Sequence, residues 1–289
     1  MNYGILEFLN LLGALGLFLF GMKMMSESLQ KVAGDKMRSI LSSMTSNRFM
    51  GILTGLLVTM VIQSSSATTV MVVSFVNAGL LTLVQSIGVI MGANIGTTFT
   101  AWLISLLGFK FSIVLIAIPL IGIGFPLLFS KKTSLKFWGE FIVGFSLLFI
   151  GLDFLKNSVP RIDQSPELFQ FLTNYANMGY LSVFIFLIIG SLLTVVIQSS
   201  SATMALTLVM CSQGWISFEL AAAMVLGENI GTTITANIAA LVGNVSAKRA
   251  ARAHLIFNLL GVFWMMLVFY PYTKIIANNE QLPTSMDIL

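Results

Sequence analysis

Residues 50–109 include no Asp, Glu, Lys or Arg. A soluble domain carries about 25% charged residues, so an uncharged run of this length has no place on a water-facing surface. The rest of the chain agrees, with 57% hydrophobic residues, 9% charged residues and a mean hydropathy of +0.95. Further apolar blocks at residues 5–25, 111–129, 137–155 and 255–272 have the roughly 20 residues a helix needs to cross about 30 Å of hydrocarbon. An outer-membrane barrel would instead show alternating segments of about ten residues, which are absent. The expected fold is therefore an all-α polytopic membrane protein. Residues 1–20 hold Glu7 and no basic lead-in, so the first block is expected to be a retained helix. Cys211 is the sole cysteine, which excludes an internal disulfide. The net charge of +4 reads as loop orientation in a membrane protein, not as a nucleic-acid footprint.

The uncharged run hides a polar phrase, Gln63-Ser64-Ser65-Ser66-Ala67-Thr68-Thr69, and the phrase recurs. Residues 61–68 match residues 196–203 without a mismatch, at a spacing of 135. The same spacing carries Thr59 onto Thr194, Gly79 onto Gly214, and Gly92-Ala93-Asn94-Ile95-Gly96-Thr97-Thr98 onto Gly227-Glu228-Asn229-Ile230-Gly231-Thr232-Thr233. Two unrelated phrases kept at one spacing mark an internal duplication. The expected organisation is a first membrane repeat at 1–130 with a re-entrant hairpin at about 49–80. A second repeat follows at 131–277 with its hairpin at about 180–211, and then a short polar tail at 278–289.

Charge gives the expected topology. If the first helix ends inside the cell, Lys31, Lys36, Arg38, Arg48, Lys131, Lys132, Lys136, Lys248, Arg249 and Arg252 lie inside, and Lys110, Lys156, Arg161 and Lys274 lie outside. Ten against four satisfies the positive-inside rule. On that path the hairpins enter from opposite faces, so the repeats are inverted, each with three transmembrane spans and one re-entrant hairpin.

Inverted repeats whose broken helices meet at the midplane are the architecture of secondary transporters. A helix starting at a hairpin tip exposes unpaired N–H groups and the positive end of its dipole. Ser64, Ser65 and Ser66, with Ser199, Ser200 and Ser201, would surround a small oxyanion there. Neither hairpin contains Lys or Arg, so mobile cations are expected to enter with the anion, because an uncompensated charge at the midplane is costly. Asn94, Thr97, Thr98, Asn229, Thr232 and Thr233 supply hard oxygen ligands suited to an alkali cation. Gly92, Gly96, Gly227 and Gly231 are expected either to let the helix unwind and present carbonyls or to permit close helix packing. Glu228, the only acidic residue of the two phrases, is a candidate for charge coupling.

These paired phrases resemble the sodium-dependent phosphate cotransporter family, the type II symporters and their bacterial relatives, from the first helix to about Tyr272. The resemblance implies phosphate held by Ser64, Ser65, Ser66, Ser199, Ser200 and Ser201. It implies co-transported sodium bound by oxygens drawn from Gln63, Thr68, Asn94, Thr97, Thr98, Gln198, Thr203, Asn229, Thr232 and Thr233. No organic cofactor and no enzymatic activity are implied. The expected function is sodium-coupled symport of inorganic phosphate into the cell by alternating access, at the plasma or inner membrane. Partners are phosphate, sodium, the bilayer and, as an open question, a second copy of the chain. Three departures from the family stand out. The connection at 156–179 is short and cysteine-free, no phosphate-uptake regulator domain is expected after the last helix, and Glu228 stands where the first copy has Ala93.

Other classes fit less well. A serine hydrolase needs a base beside its nucleophile, and His254 is the only histidine. An anion channel has no need of two opposed hairpins. A carrier of a dicarboxylate or an amino acid is the nearest rival, although such carriers usually present an arginine to the carboxylate.

Overall fold

A computed structural model describes residues 5–43, 47–110, 113–158, 175–176 and 178–279. Among them the regular structure is helical. We label the helices α1 (Ile5–Ser43), α2 (Arg48–Ile62), α3 (Ser65–Asn77), α4 (Leu83–Leu103), α5 (Val114–Leu127), α6 (Thr133–Ser158), α7 (Tyr180–Ile197), α8 (Ser200–Ser212), α9 (Phe218–Ala240), α10 (Val245–Leu267) and α11 (Phe269–Asn279). A π-helical segment, Ile104–Lys110, extends α4.

Five stretches are long and apolar enough to cross a membrane: Ile5–Ala33, Leu83–Phe109, Thr133–Ser158, Tyr180–Ile197 and Val245–Leu267. Large apolar side chains such as Trp102, Leu115, Val196, Phe263 and Trp264 cover the exterior. A surface of that kind is stable against lipid tails and not against water. The protein is a multi-pass membrane protein.

Helix boundaries differ from the expected spans in two places. Residues 111–129 were expected to cross, yet α5 has 14 residues, about 21 Å of helix, and Pro119 and Pro126 interrupt its backbone bonding. Conversely, α7 was expected as half of a hairpin and is an 18-residue apolar helix. Expectations for Arg161 and for the tail beyond residue 279 fall outside the described residues.

Several helices start at side-chain caps. Asn47 Oδ1 accepts from the Met50 N–H at 2.9 Å, and Asn244 Oδ1 accepts from the Ala247 N–H at 2.9 Å. Thr82 and Gln85 form a reciprocal capping box at the start of α4. Turn glycines Gly79 and Gly214 sit at φ +73° and +78°, a region that favours residues without a Cβ.

Helix pairing depends on small residues, as expected where lipid removes the hydrophobic drive for helices to associate. In the α2–α4 pair a Cβ on Gly92 would strike the Ile52 carbonyl, and in the α7–α9 pair a Cβ on Gly227 would strike the Leu187 carbonyl. Ile52 and Leu187 are themselves 135 residues apart, so packing repeats with the sequence. Of the two roles open to these glycines, close packing is the one the backbone adopts. Both α4 and α9 run helically through their glycine phrases and do not unwind there. Along the other side, α1 packs on α6, and Phe18, Met22, Met25, Leu148, Phe149, Leu152 and Leu155 form a core closed by Ala202, Ala205 and Val209 of α8. Helix α10 lies against α3, α4 and α9.

Candidate functional site

Each serine phrase is the junction of two helices. α2 ends at Gln63, in the left-handed region at φ 57°, and α7 ends at Gln198, at φ 56°. Among the described residues these are the non-glycine positions with positive φ. A bulky side chain pays for this conformation, and such strain is concentrated at ligand sites. The left-handed turn lets each glutamine N–H close the preceding helix, onto the Thr59 carbonyl at 2.7 Å and the Thr194 carbonyl at 2.8 Å. The backbone then reverts to extended geometry at Ser64 and Ser199, and the next helix begins.

Ser64 and Ser199 are N-caps. Their hydroxyls accept from the N–H groups of Ala67 and Ala202 at 3.2 and 3.3 Å. Ser65 and Ser66, and likewise Ser200 and Ser201, occupy the first turn, where N–H groups have no partner within their helix. Thr68 and Thr203 fold back onto the carbonyls of Ser64 and Ser199 at 3.0 and 3.1 Å. The result is two matched helix N-termini edged with hydroxyls, α3 and α8 spanning Ser65–Asn77 and Ser200–Ser212 at the same 135-residue spacing.

The two tips share a cavity of about 420 Å³, into which Gln63, Ser64, Gln198 and Ser199 open. Its third wall is α1, through Leu19, Met22, Lys23, Ser26, Glu27 and Gln30. Ser26 Oγ donates to the Ile62 carbonyl at 3.0 Å, which fastens α1 to the first tip. Ser199 Oγ lies 3.8 Å from Met22 Sδ at the second tip. The expectation of a cavity without a cationic side chain is corrected here, because Lys23 lines it. That lysine belongs to neither repeated phrase, so reading the phrases alone passed it over. A larger space of about 650 Å³ elsewhere, lined by Leu208, Phe218, Met265 and Phe269 among others, is mainly apolar.

Other expected site residues lie behind the tips, off the cavity wall. Ser65, Ser200 and Ser201 are buried, and Ser66 is half-buried. Thr97 and Thr232 donate to the carbonyls of Ala93 and Glu228 within their own helices, and Thr98 and Thr233 donate to those of Ile95 and Ile230. Thr233 is buried, whereas Thr98 is exposed. Gln63 holds its helix end by donating to the Met60 carbonyl, and its Oε1 accepts from Thr100 Oγ1 at 3.0 Å. Thr59 Oγ1 meets Thr68 Oγ1 at 3.0 Å.

The asparagines diverge between copies. Asn94 donates to Asn258 Oδ1 at 2.8 Å, and its Oδ1 lies 3.3 Å from His254 Nε2, which joins α4 to α10. Asn229 donates to the Val225 carbonyl inside α9. His254 and Asn258 are both buried, and their pairing with Asn94 was not read from the sequence. Their only trace was their i, i+4 spacing in an apolar helix.

Glu228 is 1% exposed, and its Oε1 accepts from Thr207 Oγ1 at 2.8 Å. Its Oε2 has no hydrogen-bond partner. The equivalent places in the first copy hold Val72 and Ala93, both fully buried. Two buried apolar positions of one copy are thus a buried hydrogen-bonded pair in the other.

Two capped helix tips thus open into one cavity of a multi-pass helical protein, and exposed N–H groups at helix starts can hold a small anion. The chain belongs to the Na+/Pi-cotransporter family, whose model matches residues 17–157 and 168–279. It is 34% identical over 248 residues to YqeW of Bacillus subtilis (strain 168), covering 85% of this chain and 77% of that protein. It is 29% identical over 277 residues to YjbB of Escherichia coli O157:H7, named for a proposed export of inorganic phosphate. That match covers 95% of this chain and 48% of YjbB, so the chain spans about half the length of that relative. Over 106 residues, 36% of this chain and 15% of the relative, it is 41% identical to sodium-dependent phosphate transport protein 2B of Homo sapiens. No solved structure matches the chain.

Proposed function

We propose that this protein is a secondary transporter of the cell membrane that moves inorganic phosphate with sodium ions by alternating access, inward in the cell. It acts as a carrier and not as an enzyme. The observation that carries the reading is the sharing of one cavity by two matched serine-capped tips. Two helix N-termini aimed at one space favour an anion, and hydroxyls with free N–H groups can replace its water shell.

In this reading the serines at 64–66 and 199–201 hold phosphate. Oxygens of Gln63, Thr68, Asn94, Thr97, Thr98, Gln198, Thr203, Asn229, Thr232 and Thr233 serve sodium, and Glu228 adjusts the charge carried per cycle. The two copies act as inverted repeats that expose the site to one side and then the other. The residue spacing supports this, as does the positive-inside distribution of Lys and Arg. Membership of the Na+/Pi-cotransporter family supports both the substrate and the coupling ion.

Outward movement is the second reading, favoured by the name of YjbB. Radiolabelled phosphate flux in proteoliposomes separates them. Inward sodium-driven symport predicts saturable uptake with sodium outside and little with choline. Flux indifferent to sodium would remove the coupling, and outward flux independent of the sodium gradient would favour export. Dicarboxylates and amino acids, added as competitors, test the rival carriers; strong competition by either would displace phosphate as the substrate.

A further inference from the structure

The wall of the cavity that belongs to neither repeated phrase carries its charge. Leu19, Met22, Lys23, Ser26, Glu27 and Gln30 lie at helical spacings of three and four, so a single face of α1 looks into the space between the tips. Upstream of Lys23, α1 is uncharged from Phe8 to Met22, so the first charge of the helix after Glu7 is placed at this wall.

Lys23 Nζ stands 3.8 Å from Glu27 Oε1, beyond hydrogen-bond reach and at the outer limit of an ion pair. Both side chains remain more than half open to the space around them, at 72% and 51%. The pair has lysine four residues before glutamate, the weaker orientation for supporting a helix. Exposed pairs of this geometry also contribute little to stability. Helix support therefore accounts poorly for two opposite charges on the face of α1 that lines the cavity. By contrast, Lys31 Nζ meets Glu140 Oε2 at 2.9 Å and ties α1 to α6, which is what a structural ion pair looks like here.

We propose that Lys23 and Glu27 form an exchangeable pair that couples the two transported ions, an inference that rests on the phosphate-and-sodium reading above. Without substrate the two charges neutralise each other, and the cavity has no net charge from α1. An incoming oxyanion takes the Lys23 ammonium, which has three donors to offer. That leaves the Glu27 carboxylate without its partner and beside the newly bound anion, where like charges repel. A monovalent alkali cation then binds at Glu27. Each ion is held well only when the other is present, so Lys23 is an anion-binding residue and Glu27 a cation-binding residue of the same cavity.

The test is phosphate uptake by proteoliposomes of wild type, K23Q, K23R, E27Q and E27D, with phosphate and sodium varied separately. Lys23→Gln should raise the phosphate KM about 10-fold with kcat largely kept, the loss expected for one charge-assisted contact. Lys23→Arg should restore most of that affinity, which a purely structural lysine would not require. Glu27→Gln should lower the number of sodium ions felt in the uptake rate by one, and Glu27→Asp should keep it. If K23Q gives no flux, phosphate-dependent thermal stabilisation of the purified protein reads its affinity directly. A midpoint equal to wild type would overturn the proposal, and a midpoint shifted about 10-fold would support it. Wild-type values of both phosphate KM and sodium dependence in K23Q and E27Q would overturn the exchange while leaving phosphate transport standing. Wild type that moves no phosphate would overturn the functional reading beneath it.

Discussion

At the scale of single residues, the serines of each phrase divide their work by position. Ser64 and Ser199 spend their hydroxyls on capping, accepting from Ala67 and Ala202. Ser65 and Ser200 sit one step later, buried at the head of their helices, directly behind the capping serines that line the shared space. A hydrogen bond to a charged group contributes about 1.5–3 kcal/mol. Ser65→Ala and Ser200→Ala are each expected to raise the phosphate KM roughly 10-fold or more without preventing insertion. Concentration-dependent uptake checks this, and wild-type uptake by both variants would move the anion site elsewhere. The serines and their repetition were legible in the sequence. The glutamines' left-handed backbone was not, because glycine is the residue that announces such a conformation. Gln63 adopts it under the hold of Thr100 and of the Met60 carbonyl, neither of which a linear reading connects to it.

Between elements, duplication explains how the helices find their partners and where the copies part. Gly92 against Ile52 and Gly227 against Leu187 repeat one close crossing, and the glycine phrases that announce it were visible in the sequence. Which of two roles those glycines play was settled only by the continuous course of α4 and α9. The copies part at the α8–α9 contact, where Thr207 and Glu228 replace the Val72 and Ala93 of the α3–α4 contact. Thr207→Val leaves a buried carboxyl without its hydrogen bond, whereas Thr207→Val with Glu228→Ala restores an apolar pair of the kind the first copy already packs. The single T207V variant should therefore be destabilised by about 1–3 kcal/mol, and the double variant by less. Thermal melts of the purified protein check the order. A double variant less stable than T207V would show that Glu228 has a further partner in the fold. Reading Asn94 as a lone oxygen ligand missed Asn258 and His254 for the same reason that it missed Lys23. A single sequence tells which face of a helix is polar, but not which distant helix that face meets.

For the whole molecule, the apolar exterior confines polar chemistry to the interior, and the interior brings two N-terminal tips and one charged helix face to a single cavity of about 420 Å³. The membrane class followed from the uncharged run, and the two-copy organisation followed from phrases kept at one spacing. The participation of α1 did not, since it lies in neither phrase and meets the tips only in the folded chain, through Ser26 on the Ile62 carbonyl and Met22 beside Ser199. Lys23 and Glu27 place one positive and one negative side chain of α1 on the wall of that cavity. The central claim is that both tips build one anion site and not two. Equilibrium binding of radiolabelled phosphate to the purified protein, in sodium chloride and in choline chloride, tests it most directly when repeated on S65A/S66A and on S200A/S201A. The account predicts one phosphate per chain, bound only with sodium and lost when either tip is altered; two phosphates per chain, or full binding by a protein with one tip disabled, would contradict it.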